Sequence, residues 1–263
     1  MENESKKEKF IKFCVKYKVN FLVLVLGLFL LNGIFYEVTQ LMPLENHHLF
    51  MEIDDKIPFI PEFCFFYTLF YVCPTVFLSG LAFYDKKKLM AIIVDGTISV
   101  TLCFIVYLIF NVQMRRTPYE ELVADYWFFD GSVTNPHEFF MALLHFQYVV
   151  DPMARNGIPS LHAMFGGLIF LCGCPFSNKE KHVPVIFRIL AIIFGLGVIC
   201  STFFVKQHYF IDAVIGFALA VVMFFVSKII VNKFVNKYPD NKTIILFLII
   251  AIDIYSSIII SHS

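Results

Sequence analysis

Two histidines stand where polar loop sequence turns into apolar runs that are long enough to cross a lipid bilayer. His162 ends a short segment that begins at Gly157, and His208 begins a second segment that ends at Asp212. An ionisable side chain at such a boundary costs free energy unless it is paired or has a function. Two such histidines, one of them followed by a carboxylate, indicate a phosphoryl-transfer site built on membrane helices.

His208 and Asp212 stand at positions i and i+4, so they share one face at the start of a helix. A carboxylate that accepts from one imidazole nitrogen fixes the tautomer and leaves the other nitrogen free to attack. His208 is therefore a candidate nucleophile with Asp212 as its orienting partner, following the logic of a Ser-His-Asp triad. Two other interpretations stay open. One is a structural His–Asp pair at the membrane interface. The other is a metal pair, although His162, His208 and Asp212 come without convincing extra ligands.

The first segment has the features of a helix start that binds an anion. Pro159 restricts the chain, and Ser160 is a good N-cap for the apolar helix that follows. The first N–H groups of a helix have no acceptor within it, and the helix dipole adds to their attraction for an anion. Gly157 allows close backbone approach, and His162 is placed to donate a proton to a leaving oxygen. The alternative is a capped helix start with an interfacial histidine.

The composition is that of an integral membrane protein. Of the 263 residues, 59% are apolar and 33 are Phe, and the mean hydropathy is +0.74. No internal repeat or linker divides the chain, so we predict an all-α, polytopic helix bundle in a single domain, residues 1–263. Seven apolar windows approach the roughly 20 residues that cross a hydrocarbon core. These windows are 19–36, 62–83, 89–110, 158–176, 185–205, 209–231 and 243–260.

Basic residues are distributed unevenly between the two sides of such a bundle. With a cytoplasmic N-terminus, sixteen of the 21 Lys and Arg residues fall on the inner side, which agrees with the positive-inside rule. We therefore predict a multi-pass protein of the plasma membrane with a cytoplasmic N-terminus and both histidine segments on the outer face. The five outer cations are Lys56, Arg115, Arg116, Arg155 and Lys206.

Two long outer loops connect the predicted spans. Residues 37–61 are acidic and end in prolines that interrupt any helix there. Residues 111–157 contain a semi-apolar segment, 137–150, that is too short and too polar to span a bilayer. We predict an interfacial or re-entrant helix for this segment.

Together the two histidine segments resemble the phosphatidic acid phosphatase type 2 superfamily of membrane lipid phosphatases and phosphotransferases. That family pairs a P-S-x-H motif with an H-x-x-x-D motif one helical hairpin later, as residues 159–162 and 208–212 do here, with Gly216 following. The sequence looks closest to the inositol phosphorylceramide synthase-like branch. The resemblance covers about residues 55–230.

The resemblance implies a core of six helices, to which the seventh apolar window would be an addition. It also implies a covalent phosphohistidine on His208, with Asp212 orienting the nucleophile and His162 acting as general acid. Neither a metal nor another cofactor is implied.

Two phosphate-clamping cations of the phosphatase branch are missing from this chain. Its K-x6-R-P motif would need a lysine where Ile109 stands, and Thr117 separates Arg116 from the following proline. Its S-R-x5-H motif retains Ser201 but has Thr202 in place of arginine. Other cations must then neutralise a phosphoryl group in the transition state.

Three outer cations are candidate substitutes: Arg116, Arg155 and Lys206. Together with Ser160 and Gly157 they form the predicted phosphate-binding set. For each cation the alternative is an ordinary solvated loop residue.

We expect an enzyme that cleaves a phosphate ester of a membrane lipid at the extracytoplasmic face. Water as the acceptor would make it a phosphatase, and an alcohol such as inositol would make it a headgroup phosphotransferase. The missing clamp favours transfer, whereas the prevalence of simple phosphatases favours hydrolysis. The rival from another class is a non-catalytic lipid-binding or transport protein, against which the retention of His162, His208 and Asp212 argues. No nucleic-acid partner is expected, and the lipid, the acceptor and the oligomeric state stay open.

Overall fold

The computed structural model describes residues 34–36, 38–42, 44–124, 136–175 and 183–235. Within these ranges the chain is helical apart from its loops and one two-stranded parallel sheet, which confirms the predicted all-α membrane bundle. The window 243–260 and most of the window 19–36 lie outside the described residues.

The elements follow one another along the chain, after helical residues 34–36 and 38–41, in a simple order. They are β1 (Asn46–His47), α1 (Glu52–Lys56), a 3-10 turn (Pro61–Phe63), α2 (Cys64–Leu69), α3 (Cys73–Tyr84), α4 (Lys86–Ile109), β2 (Asn111–Val112), α5 (Tyr119–Ala124), α6 (Pro136–Val150), α7 (Leu161–Gly173), α8 (Val185–Phe204) and α9 (Phe210–Val235).

Three of the described helices are long and apolar enough to cross a bilayer. They cover Lys87–Ile109 in α4, Val185–Phe204 in α8 and Phe210–Lys233 in α9. These bounds agree with the predicted windows 89–110, 185–205 and 209–231. Large apolar side chains on α8 and α9 remain exposed in the protein, as expected for surfaces that face lipid tails; examples are Ile186, Ile193, Val222 and Ile229.

The window 62–83 is divided between two helices rather than forming one span. The chain leaves α2 after Leu69 and begins α3 at Cys73. Pro74 lies in the first turn of α3, where its missing N–H is not needed, so a new helix begins here. The break places the end of α2 beside the start of α7.

The central helix, α7, is short and almost entirely buried. Its 13 residues span about 20 Å at 1.5 Å per residue, less than a hydrocarbon core. Backbones pack directly against it on two sides: a Cβ at Gly195 of α8 would lie 2.7 Å from the carbonyl oxygen of Gly166, and one at Gly216 of α9 would collide with the carbonyl of Ser160. The close contacts that Gly195 and Gly216 allow therefore fix the position of α7 along the axes of α8 and α9.

Helix α6 forms where the interfacial or re-entrant segment was predicted. Met141 and Leu144 pack against Cys64 and Tyr67 at α2, whereas Phe146 on the other side of α6 is exposed. The helix ends directly before Asp151, so its packing against α2 sets the position of the loop that leads to Ser160.

Candidate active site

The starts of α7 and α9 bring the two histidines together. The ring centroids of His162 and His208 lie 5.6 Å apart, with the ring planes inclined by 54°. Their exposed fractions are 9% and 7%, so both imidazoles are shielded from bulk solvent. The N–H of Ser160 donates to the carbonyl of Asp212 at 3.1 Å, which joins the two helix starts. The two segments singled out in the sequence therefore form one site.

Asp212 lies next to His208 without hydrogen-bonding to it. Nδ1 of His208 is 3.8 Å from Oδ2 of Asp212, which is beyond hydrogen-bond range. The same Oδ2 accepts from the N–H of Tyr209 at 3.1 Å, so the carboxylate is tied to the start of α9. A small movement would close the gap to His208, and catalytic hydrogen bonds commonly tighten when substrate binds.

Ser160 caps α7 as the sequence predicts. Its Oγ accepts from the N–H of Ala163 at 3.2 Å. The N–H groups of Leu161 and His162 have no acceptor within the helix, and the helix dipole places partial positive charge at this end. The start of α7 thus supplies anion-binding donors beside the two histidines.

Gly157 lies so close to β2 and to Asp212 that a side chain would not fit there without a shift of its neighbours. Its N–H donates to the carbonyl of Val112 at 2.8 Å. A Cβ at this position would lie 3.1 Å from that carbonyl oxygen and 3.2 Å from Oδ2 of Asp212. A larger residue would therefore displace either β2 or the carboxylate.

The imidazole of His162 packs against two aromatic rings, that of Tyr67 in α2 and that of Phe70 directly after α2. The ring of Tyr67 stacks on the imidazole at a centroid distance of 4.2 Å, and the ring of Phe70 lies 4.1 Å away. The hydroxyl of Tyr67 is 3.4 Å from Nδ1 of His162. Nε2 is left as the nitrogen without a partner, and it is the atom available for proton transfer.

Arg116 is buried in an ion pair with Asp151. Nη2 of Arg116 donates to Oδ2 of Asp151 at 2.7 Å, and Nη1 donates to the carbonyl of the same residue. Burial alone would lower the pKa of Arg116, but the carboxylate of Asp151 together with the phenols of Tyr67 and Tyr36 outweighs this effect, so the pKa is raised and the guanidinium stays charged. Its charge acts on both Tyr67 and His162, which places Arg116 within Coulombic range of the histidine site.

The other two predicted phosphate ligands donate to backbone carbonyls within residues 40–57. Nη1 of Arg155 donates to the carbonyls of Gln40 and Met42 at 2.9 and 3.0 Å. Nζ of Lys206 donates to the carbonyl of Asp54 at 2.7 Å and to that of Ile57. Both cations therefore stabilise loop conformations in this structure.

Lys206 also differs from Arg116 in its electrostatic setting. Burial lowers the pKa of Lys206, and the carboxylates of Asp54 and Asp55 oppose that shift. The side chain of Asp54 accepts from the N–H of Phe210 at 2.8 Å. The acidic helix α1 thus contacts both the loop that carries His208 and the start of α9.

Buried polar atoms without a hydrogen-bond partner are concentrated around the histidines. Nine such side-chain atoms occur among the described residues, and five of them belong to this region. The five are Arg116 Nε, His162 Nε2, Gln207 Oε1, His208 Nδ1 and Asp212 Oδ1. Each unpaired buried group costs roughly 1–3 kcal/mol, so their clustering favours a polar ligand that would pair with them.

A metal centre has no obvious ligand set in the part of the chain that the structure describes. No group of three or more His, Cys, Asp or Glu side chains there is arranged to hold an ion. His162 and His208 face each other with Asp212 as the nearest carboxylate, and the three do not form such a group.

Three residues of the site were not identified from the sequence. Tyr67 lies 95 positions before the histidine it contacts, and no spacing rule connects them. Asp151 could have been noticed as a carboxylate in the loop before Ser160, but its partner Arg116 is 35 positions away. Gln207 stands beside His208 in the sequence, and only its burial makes it notable.

Comparison with known proteins gives one family match. Residues 122–236 match the family model described as the PAP2 superfamily. The matched stretch contains His162, His208 and Asp212, whereas Tyr67 and Arg116 precede it. No curated protein and no solved structure gives a significant match to the chain. The match suggests a phosphatase or phosphotransferase activity on phosphate esters and does not distinguish the branches of the superfamily.

Proposed function

We propose that this chain is a membrane-embedded PAP2-type lipid phosphatase that works through a phosphohistidine. The observation that carries the proposal is the pair of shielded histidines, 5.6 Å apart at the starts of α7 and α9, with a buried carboxylate beside one of them. The PAP2 family match over both histidine segments gives independent support. Two imidazoles at this separation leave room for one phosphoryl group to contact both.

The first half of the reaction transfers the phosphoryl group to the protein. Nε2 of His208 attacks phosphorus, and the bond from phosphorus to the lipid oxygen breaks. His162, in its imidazolium form, donates the proton from Nε2 to that oxygen and becomes neutral, so a neutral alcohol leaves. Asp212 stabilises the positive charge that develops on the imidazole of His208.

The second half returns the protein to its starting state. A water molecule attacks phosphorus and gives its proton to Nε2 of His162. The bond between phosphorus and His208 breaks, and inorganic phosphate leaves. His162 thus acts first as an acid and then as a base, which needs no proton from outside the site.

Positive groups must stabilise the charge on the phosphoryl oxygens in both halves. We assign this role to the N–H groups at the start of α7 and to Arg116. Arg155 and Lys206 stay in the predicted set, with a weaker expected effect because backbone carbonyls already accept from both of them.

The proposed substrate is a phosphate ester of a membrane lipid at the extracytoplasmic face. The helices that carry and adjoin the site, α8 and α9, have apolar exteriors suited to lipid tails. A headgroup phosphate could therefore reach the histidines while its acyl chains stay in the hydrocarbon region. Headgroup transfer to an alcohol is the alternative, favoured by the missing arginine at Thr202.

The test uses the full chain, purified in detergent and mixed with phosphatidic acid. We expect release of inorganic phosphate and an acid-labile radioactive label on the protein when the substrate phosphate is labelled. His208→Ala should lose both, whereas His145→Ala, at an exposed histidine of α6, should keep both.

A second arm of the test supplies a phosphodiester lipid together with a free alcohol. New headgroup lipid without phosphate release would replace hydrolysis by transfer as the assigned reaction. A folded protein that shows no product and no label in either arm would support the non-catalytic alternative.

A further inference from the structure

We infer that Asp151 is a positioning residue of the phosphoryl site, which acts by fixing the guanidinium of Arg116. This inference rests on the proposed function, in which Arg116 stabilises the phosphoryl oxygens. The ion pair is nearly closed to solvent, since the side chains of Arg116 and Asp151 are 8% and 16% exposed. A charged pair in such a place is held in one geometry rather than sampling many.

The contacts leave part of the guanidinium free for an anion. Arg116 has five N–H donors, of which one on Nη1 and one on Nη2 are directed to Asp151. Nε is buried and has no hydrogen-bond partner. Because one carboxylate oxygen and one carbonyl of Asp151 hold the two terminal nitrogens, the edge that contains Nε remains available to a phosphoryl oxygen.

Asp151 is itself fixed by groups from two other segments. Oδ2 accepts from the hydroxyl of Tyr36 at 3.0 Å as well as from Arg116. Oδ1 accepts from the amide of Gln40 at 2.7 Å and from the N–H of Ala154 at 3.2 Å. The carboxylate therefore has a fixed position before any substrate binds. Because it accepts from Arg116, it also restricts the position of the guanidinium.

The ring of Tyr148 supports the same geometry from α6. The guanidinium carbon of Arg116 lies 5.4 Å from the centre of this ring, within cation–π range. The hydroxyl of Tyr148 donates to the carbonyl of Thr117 at 2.7 Å, so the ring is fixed next to the segment it supports. The carboxylate and the ring together restrict both the direction and the plane of the guanidinium.

The opposite role for Asp151 is also chemically conceivable. A carboxylate in contact with an arginine could compete with phosphate and reduce activity until it is displaced. The two roles make opposite predictions: removing the charge of a positioning carboxylate lowers the rate, whereas removing a competitor raises the rate and strengthens anion binding.

A double-mutant cycle distinguishes a positioning role from a general structural one. We would compare wild type, Asp151→Asn, Arg116→Ala and the double variant in kcat/KM for phosphatidic acid and in inhibition by vanadate. Misplacement of a substrate-positioning group by about 1 Å costs up to roughly a hundredfold in rate. We expect Asp151→Asn to lower kcat/KM by about ten- to a hundredfold and to weaken vanadate inhibition, because both measurements report the guanidinium.

In the Arg116→Ala background, Asp151→Asn should change the rate by less than about threefold, because residues that act as one unit are non-additive. A full, additive loss in that background would show that Asp151 does not act through Arg116. A faster enzyme with tighter vanadate inhibition would identify Asp151 as a competitor instead. Either result would overturn the inference.

Gln113→Leu is the matched control, because its amide donates to the carbonyl of Met153 in the loop that carries Asp151, and does not hydrogen-bond to Asp151 or Arg116. It should keep kcat/KM within about threefold of wild type. Thermal unfolding in detergent identifies variants that fail to fold. Should Asp151→Asn unfold, Asp151→Glu keeps the charge, moves it by one methylene and enters the same cycle; failure of both variants to fold would show a structural role only.

Failure of the proposed function gives a different pattern. A wild-type protein without phosphate release or vanadate sensitivity contradicts the lipid phosphatase assignment itself. An active, vanadate-sensitive wild type with an additive cycle contradicts only the role of Asp151.

Discussion

The two ends of α7 use hydrogen-bonding groups in opposite ways. At the C-terminal end, Nζ of Lys88 donates to the carbonyls of Cys172 and Cys174 at 3.1 and 2.6 Å, and Nε of Arg188 donates to that of Gly173 at 3.1 Å. At the N-terminal end, buried atoms of His162 and its neighbours lack partners. Cations that saturate helix carbonyls stabilise a fold, whereas unpaired groups at the positive end of a helix are available to a ligand. The difference separates the structural end of this helix from the end that we assign to chemistry.

The largest effect is expected at His208, beside the N-terminal end of α7. His208→Ala removes the proposed nucleophile, and loss of one member of such a catalytic unit costs several orders of magnitude in kcat. Phosphate release from phosphatidic acid measures the loss, and gel filtration in detergent shows whether the variant is folded. Retention of more than about a tenth of the wild-type rate would contradict a mechanism with a single histidine nucleophile.

The next effect is expected at Arg116. Arg116→Ala removes a charge-assisted donor to a developing anion, which typically costs ~2.7–4 kcal/mol, or roughly a hundred- to a thousandfold in rate. Arg116→Lys should recover part of this loss, because lysine supplies the charge without the planar fork.

The rate of Arg116→Ala should be compared with the rates of Arg155→Ala and Lys206→Ala. We expect each of these two variants to lose about tenfold in rate if the cation only steers the substrate. A rate near wild type for Arg116→Ala together with a severe loss for Lys206→Ala would move the clamp to the loop beside the nucleophile.

A smaller effect is expected for Tyr67→Phe, which keeps the stacked ring and removes the hydroxyl near Nδ1 of His162. A neutral hydrogen bond contributes about 0.5–1.5 kcal/mol, so kcat should fall by roughly two- to twelvefold. The measurement is kcat as a function of pH, since the hydroxyl affects which nitrogen of the imidazole carries the proton. An unchanged rate and profile would mean that the ring alone positions His162.

The smallest effect on turnover is expected at the C-terminal end of α7. Lys88→Met removes donors to the last carbonyls of α7 and should lower stability by about 1.5–3 kcal/mol, seen as a lower midpoint of thermal unfolding in detergent. The kcat of the folded fraction should stay at the wild-type value. A large loss of kcat with no change in unfolding would contradict the division between the two ends of α7.

Several features of the fold follow from local patterns in the chain. The apolar runs that become α4, α8 and α9 contain 23, 20 and 24 residues with few charges, so their length and composition predict spans. The window 62–83 was wrongly predicted as one span. Its apolar composition does not reveal the break between α2 and α3, which only Pro74 marks in the sequence. The position of α7 along the bundle could not be predicted from the sequence either. It is set by close contacts of Gly195 and Gly216, on two other helices, with backbone carbonyls of Gly166 and Ser160.

The sequence by itself determined the catalytic candidates, because their roles depend on spacing within one helix turn. Ser160 caps the helix that carries His162, and Asp212 lies one turn after His208; both relations follow from helix geometry. Only the tertiary structure decided which distant groups surround them. Tyr67, Asp151 and the assignment of Arg116 rather than Arg155 to the site all depend on contacts between segments far apart in the chain. Such contacts are set by the packing of helices and loops, and no local spacing encodes them.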